Sequence, residues 1–296
     1  MIAYQELDHE SYSDFRHLCP PEIHPLLQQP PGGTILIGAY AGGEPAGLLA
    51  ARGGLPGKQA RLLSVAVLPD ARRRGIGTGL VRKLEDILGP RESPYLLAEF
   101  VTNTDESDPQ EAGAFLTAAG FALPVPGIAV RSSALAPLQR VPWMKLTLPA
   151  AFTLSPWSSW TEDERQEAAA GAGSAYPEIL SPFAEEEEID PARSMLLRHN
   201  GKVAGWMVLE PFGEYTVLLK TMFVYPPYQR MGRGLAMAAE VLRRLFAEGF
   251  YRSGIYFAEA DNEGMMAFAR RHLEYPGLKK ETLWRTYKGL GPTAGG

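Results

Sequence analysis

Two stretches of the chain carry apolar residues at helical spacing, and each follows a short run of alternating or continuous apolar positions. Leu80, Val81, Leu84, Ile87 and Leu88 fall on one face of a 3.6-residue period. So do Leu235, Ala238, Ala239, Leu242, Leu245 and Phe246. Ahead of the first helix, residues 34–40 and 45–51 read as two strands around the turn at Gly42 and Gly43. Ahead of the second, residues 195–199 and 203–209 read as a hairpin about Asn200-Gly201, a pair suited to the left-handed backbone of a tight turn. A further strand follows each helix, at 95–101 and 254–258, and Thr161 with Glu164 form a capping box that opens another helix.

The two halves therefore repeat one order: strand, helix, hairpin, strand, turn, helix, strand, helix. That order predicts an α/β (α+β) fold with a mixed sheet in each half. The turns between strand and helix repeat as sequence. Val67, Pro69, Arg73, Gly75 and Gly77 recur as Val224, Pro226, Arg230, Gly232 and Gly234, each 157 positions later, with Gln229 in the place of Arg72. Such a separation is about one domain length, so it marks a duplicated domain and not a solenoid period. Prolines at 142 and 149 place the boundary between 140 and 150, giving domains 1–145 and 146–296.

The repeated turn has a chemical use. The first amides of a helix lack internal partners, and the helix dipole adds about half a positive charge there. Glycines 75, 77, 232 and 234 let an anion approach the backbone, and Arg72, Arg73, Arg74, Arg230 and Arg233 add positive charge. Other glycine-rich turns fit less well. A dinucleotide fingerprint needs glycine where Leu80 stands, and a phosphate-binding loop of nucleotide hydrolases needs Gly-Lys followed by Ser or Thr.

Composition narrows the partners. A formal net charge of −5 and a sequence pI of about 5.7 argue against nucleic acid. A single cysteine, Cys19, excludes an intramolecular disulfide, and its spacing from His17 and His24 fits no zinc pattern, so no metal is expected. Residues 1–10 lack the apolar core of a signal peptide, and no run reaches the ~20 apolar residues of a membrane span. A cytoplasmic, non-membrane protein is the expectation.

Both turns resemble motif A of the GNAT superfamily of N-acetyltransferases, Val-x-Pro-x-x-[Gln/Arg]-x-x-Gly-x-[Gly/Ala], and the resemblance covers the whole chain as two tandem domains. It implies acetyl-CoA as acyl donor and a small-molecule primary amine as acceptor. The donor pyrophosphate would meet Arg72, Arg73, Arg74, Gly75, Ile76, Gly77 and Thr78 in one half. In the other it would meet Gln229, Arg230, Met231, Gly232, Arg233, Gly234 and Leu235. The pantetheine arm would pair with Val65, Ala66 and Val67, or with Met222, Phe223 and Val224, and Asn262 would lie near it.

Downstream the family pattern lapses. The tyrosine that protonates the leaving thiolate in many members is replaced by Ala269, and by Leu116 in the first half. Tyr275 is a candidate substitute acid if its loop folds back, and Glu259, Glu214 and Glu99 are candidate bases near strand ends. The second half, which keeps Asn262, is the better candidate for catalysis. A sensor or scaffold that binds CoA without transferring acetyl is the rival reading, and a third is that one half is active while the other is purely structural. The run Glu185-Glu186-Glu187-Glu188 with Asp190 would form an acidic rim able to attract a cationic acceptor. Trp157, Trp160 and Trp206 are expected to be packing residues.

Overall fold

A computed structural model describes residues 1–8, 11–24, 32–53, 58–89, 93–103 and 110–290. The chain forms two compact units, Met1–Gly127 with Thr282–Gly296, and Ile128–Glu281.

In the first unit β1 (Ile2–Glu6), β2 (Thr34–Ala41), β3 (Glu44–Arg52) and β4 (Ala60–Val67) pair antiparallel in that order. β5 (Tyr95–Asn103) then lies parallel to β4. The parallel step requires a crossover, which α1 (Ile76–Leu88) supplies. Leu80, Val81, Leu84 and Leu88 of α1 are fully buried against Ile35, Ile37 and Leu49, as the periodicity predicts. Each is worth roughly 1.5–3 kcal/mol of burial. α2 (Gln110–Ala118) follows β5. Where the halves' common order predicts a first helix, the first unit has 3-10 turns at Ser11–Leu18 and Pro21–Ile23.

The second unit repeats the plan. β7 (Phe152–Pro156), β8 (Met195–His199), β9 (Lys202–Gly213) and β10 (Thr216–Val224) are antiparallel, and β11 (Ser253–Glu259) is parallel to β10. α4 (Arg233–Glu248) makes the crossover and α5 (Glu263–His272) follows. α3 (Glu162–Ala170) opens on the expected Thr161–Glu164 capping box. Each unit thus holds the mixed sheet that the element order foretells.

The last strand of each sheet comes from an unexpected part of the chain. The second sheet is completed by β6 (Val125–Ala134), antiparallel to β11. The first is completed by β12 (Lys279–Gly289), next to β5. From Thr282 onward the end of the chain belongs to the first unit. Residues 142–149, bracketed by prolines, pack into the second unit: Trp143 and Met144 are buried, and Trp143 Nε1 donates to His272 O at 2.7 Å.

Candidate functional site

In both units the strand that leads into the repeated turn parts from its parallel neighbour. β4 pairs with β5 only through Ala60, Arg61 and Leu62 but runs on to Val67. β10 pairs with β11 only through Thr216, Val217 and Leu218 but runs on to Val224. Beyond those points the side of each strand that faced its neighbour has unspent backbone N–H and C=O groups. A one-residue bulge lies at the start of each opening. Ser64 pairs with Ala50 and Leu62 with Ala51, so Leu63 is extra; Leu219 pairs with Leu209 and Thr221 with Val208, so Lys220 is extra. The bulges repeat at the same separation as the sequence motif, and a bulge bends its strand away from regular pairing.

Each opening leads to a helix start that no side chain caps. α1 begins after Gly75 at φ 79°, and α4 after Gly232 at φ 71°, a left-handed backbone that favours glycine. By contrast, α3 and α5 are capped by Thr161 and Asn262. The amides of Ile76, Gly77 and Thr78, and of Arg233, Gly234 and Leu235, therefore remain available to an anion.

The motif side chains divide into braces and free charges. Arg72 Nε donates to Val67 O at 3.2 Å and Gln229 Nε2 to Val224 O at 2.8 Å, tying each turn to its strand. Arg73, Arg74 and Arg230 are exposed. Arg233 is not the mobile charge its position suggests. Its guanidinium lies 5.1 Å from the Phe152 ring centroid and donates to Arg230 O, so it is folded inward. Nor does Gly77 serve anion approach alone: a Cβ there would sit 2.8 Å from the Phe115 ring, so packing also demands the glycine. The two backbones differ as well. The left-handed residues are Arg73 and Gly75 in one turn, and the adjacent Met231 and Gly232 in the other.

A family model for the acetyltransferase (GNAT) family matches residues 2–109 and 156–275. The chain belongs to that family. Its fold resembles a tandem GNAT protein from the clavulanic acid biosynthesis pathway, solved without AcCoA, at 19% identity and a TM-score of 0.58, over 99% of this chain and 100% of that one. A GCN5-related N-acetyltransferase from Sphaerobacter thermophilus is similar at 19% identity and a TM-score of 0.58, over 98% and 96% of the two chains. The glucosamine N-acetyltransferase region of a fungal multi-domain β-N-acetylglucosaminidase is similar at 15% identity and a TM-score of 0.56, over 97% of this chain and 38% of that one. At such identities the likeness is one of fold. No curated protein matches the sequence.

Within this GNAT frame the candidate acids and bases scatter. Glu259 ends β11 at the open end and is exposed. Glu214 lies in the turn between β9 and β10, at the closed end. The Tyr275 hydroxyl bonds to Ser133 Oγ, and Ser133 pairs with Gly254 in the closed part of β11. Burial raises the Tyr275 pKa, and Ser133 offsets part of the rise. Tyr275, Glu274, Arg140 and Pro142 line a cavity of about 560 Å³. Asn262 Oδ1 accepts from Met265 N at 2.9 Å, so it caps α5. In the first unit Glu99 is held by Arg285 at 2.8 Å and Arg61 at 3.7 Å. Ala269 and Leu116 are both buried.

The acidic run is largely neutralised. Glu185 pairs with Lys220 and Glu186 with Arg165, which lowers the pKa of both carboxyls. Asp190 is not part of a rim: it is buried, bound to Arg193 at 2.8 Å and to the Tyr251 hydroxyl at 3.0 Å. Glu187 and Glu188 stay exposed, with no ion pair among the described residues. The three tryptophans pack as expected, with Trp157 and Trp206 buried in one aromatic cluster and Trp160 against it.

The Lys220–Glu210 pair is not expected from the sequence motifs. Lys220 is 15% exposed and Glu210 11%, beside the β10 bulge. A lone charge within the apolar run of β10 was its visible signal. Among the described residues no three His, Cys, Asp or Glu groups converge as for a metal, and no helix is long and apolar enough to cross a membrane.

Proposed function

We propose that the chain transfers acetyl from acetyl-CoA to a primary amine of a small molecule, by direct attack within a ternary complex. The observation that carries this reading is the twice-repeated pairing of a parted strand with an uncapped helix start. Acetyl-CoA presents a diphosphate and an amide-bearing arm, the two features such a cleft can satisfy: helix amides for the anion and a free strand edge for the arm.

In the second unit, Arg233, Gly234 and Leu235 would hold the diphosphate through their amides, with Gln229, Arg230, Met231 and Gly232 shaping the turn. Met222, Phe223 and Val224 would line the arm. An acceptor ammonium must shed a proton before its nitrogen attacks, and Glu259 is the candidate base at the open end. A backbone N–H of the free edge would stabilise the oxyanion. The first unit offers the same donor groups, but among its described residues no free carboxylate stands at the opening, since both Arg285 and Arg61 engage Glu99. We therefore assign turnover to the second unit.

Thiol release from acetyl-CoA across an amine panel tests this, using Gly75→Asp and Gly232→Asp. Aspartate strains a left-handed position and places a negative charge at the anion site. Gly232→Asp should abolish turnover and Gly75→Asp should spare it; intact turnover in Gly232→Asp overturns the assignment.

A second reading is favoured by the buried Ala269 and Leu116 and by Tyr275 at the closed end: donor binding without transfer. Calorimetric binding of acetyl-CoA with no turnover on any amine would establish it.

A further inference from the structure

Lys220 is the extra residue of the β10 bulge. Leu219 and Met222 pack toward the cluster that contains α4, whereas Phe223 joins the aromatic cluster on the opposite face of the sheet. Lys220 emerges on that opposite face. Its Nζ donates to Ala184 O at 2.9 Å, to Glu185 Oε2 at 2.9 Å and to the Glu210 carboxylate, which uses all three ammonium protons.

The bulge stands where the free edge of β10 begins. From Val224, at the turn, back to Lys220 is four residues, about 13 Å of strand. An extended arm anchored by its diphosphate at the turn and laid along this edge carries its far end to the bulge. Lys220 is thus a primary amine, in contact with a buried carboxylate, where the reactive end of a donor would arrive.

We infer that Lys220 is itself an acetyl acceptor, modified by the donor held on its own unit. The inference rests on the donor-binding half of the proposed function. Lys220 Nζ gives one proton to Glu210, and its freed electron pair attacks the thioester carbonyl carbon. The C–N bond forms and the C–S bond breaks, the sulfur leaving with the bonding pair. The second amine proton passes to the thiolate, so the products are Nε-acetyl-lysine, CoA thiol and the proton on Glu210. Burial pulls the Lys220 pKa down, but Glu210 and Glu185 more than offset it, so the proton transfer must come first. Acetylation removes the cation shared by Glu185 and Glu210, and once Glu210 passes its proton to water both carboxylates stand without that partner. The first unit has Leu63 at its bulge and cannot undergo the reaction.

Incubating the full chain with acetyl-CoA, then mapping tryptic peptides, tests this. Lys220 should gain an acetyl group at least about tenfold faster than exposed Lys202, and trypsin should cease to cleave after it. Excess CoA should suppress the modification by competition, and Gly232→Asp should reduce it to the Lys202 background. Modification of Lys220 no faster than that of Lys202, or unaffected by CoA, overturns the inference. Calorimetry on the same samples separates the failures. Donor binding with Lys220 unmodified defeats only the self-acetylation, whereas no donor binding defeats the proposed function as well.

Discussion

Gln229 Nε2 donates to Val224 O at 2.8 Å, and 157 residues earlier Arg72 Nε makes the corresponding bond to Val67 O at 3.2 Å. An amide and a guanidinium share only a planar N–H donor, and that donor is what the turn requires. The bond returns the chain to the last carbonyl of the strand and fixes the direction in which the helix amides point. Gln229→Ala should cost about 1 kcal/mol of turn order, read as a roughly fivefold loss of acetyl-CoA affinity by calorimetry in a Gly75→Asp background. Gln229→Arg should retain most of the affinity. Equal affinity for the alanine and arginine variants would remove the brace from the account.

Gly77 and Phe115 make a second, separable test. The alanine Cβ would meet the Phe115 ring at 2.8 Å, so Gly77→Ala should destabilise the first unit by about 1–3 kcal/mol through overpacking. Phe115→Leu should relieve part of that cost in the double variant, and denaturant midpoints would show it. If the two costs simply add, the glycine is required for another reason.

The hydrophobic pattern was enough to expose the hairpins, the crossover helices and the repeated turn, because these depend on residues close in sequence. Leu80, Leu84 and Leu88 bury the face that their spacing specified. Long-range partners were not legible. Arg233 reads as a free cation in the motif, yet Phe152, far back in the chain, draws it inward. Asp190 reads as part of an acidic run, yet Tyr251 and Arg193 bury it. Glu210 and Lys220 meet because a bulge shifts the register of β10 against β9, and a single sequence offers no direct mark of a bulge.

Acid should expose one such long-range pair. Arg198 donates to Glu164 through both terminal nitrogens, and this bond, opposed by burial and aided by the Thr161 amide, lowers the Glu164 pKa from 4.5 to about 2. A depressed carboxyl stabilises the fold above its unfolded pKa and loses that contribution as pH falls toward the folded value. The pair should therefore contribute about 2–3 kcal/mol at neutral pH, lost between roughly pH 4.5 and 2. Glu164→Gln should lower the unfolding midpoint at pH 7 and flatten the acid limb of the stability profile. An unchanged acid limb would show that the pair contributes nothing measurable.

The last strand yields the strongest prediction about domain organisation. Within the first unit, Trp284 stacks on Phe100 with ring centroids 6.4 Å apart and donates to Thr102 Oγ1 at 2.7 Å. Arg285 holds Glu99 at 2.8 Å, Thr286 Oγ1 reaches Ala122 O at 2.6 Å, and Lys288 Nζ reaches Ala119 O at 2.6 Å. Phe100, Thr102 and Glu99 lie on β5, one wall of the opening beside β4, so the far end of the chain braces the proposed donor cleft encoded near its beginning. Trp284→Ala removes both a ring contact and a hydrogen bond and should cost about 2 kcal/mol. Deleting residues 279–296 should abolish hydrogen-exchange protection of β4 and β5 while β8, β9 and β10 keep theirs, because those three strands pair within their own unit. A fragment comprising residues 1–145 should likewise remain unfolded until a peptide of residues 279–296 is added. If that fragment folds cooperatively alone, β12 is an accessory edge and the first half of the chain is a self-sufficient domain.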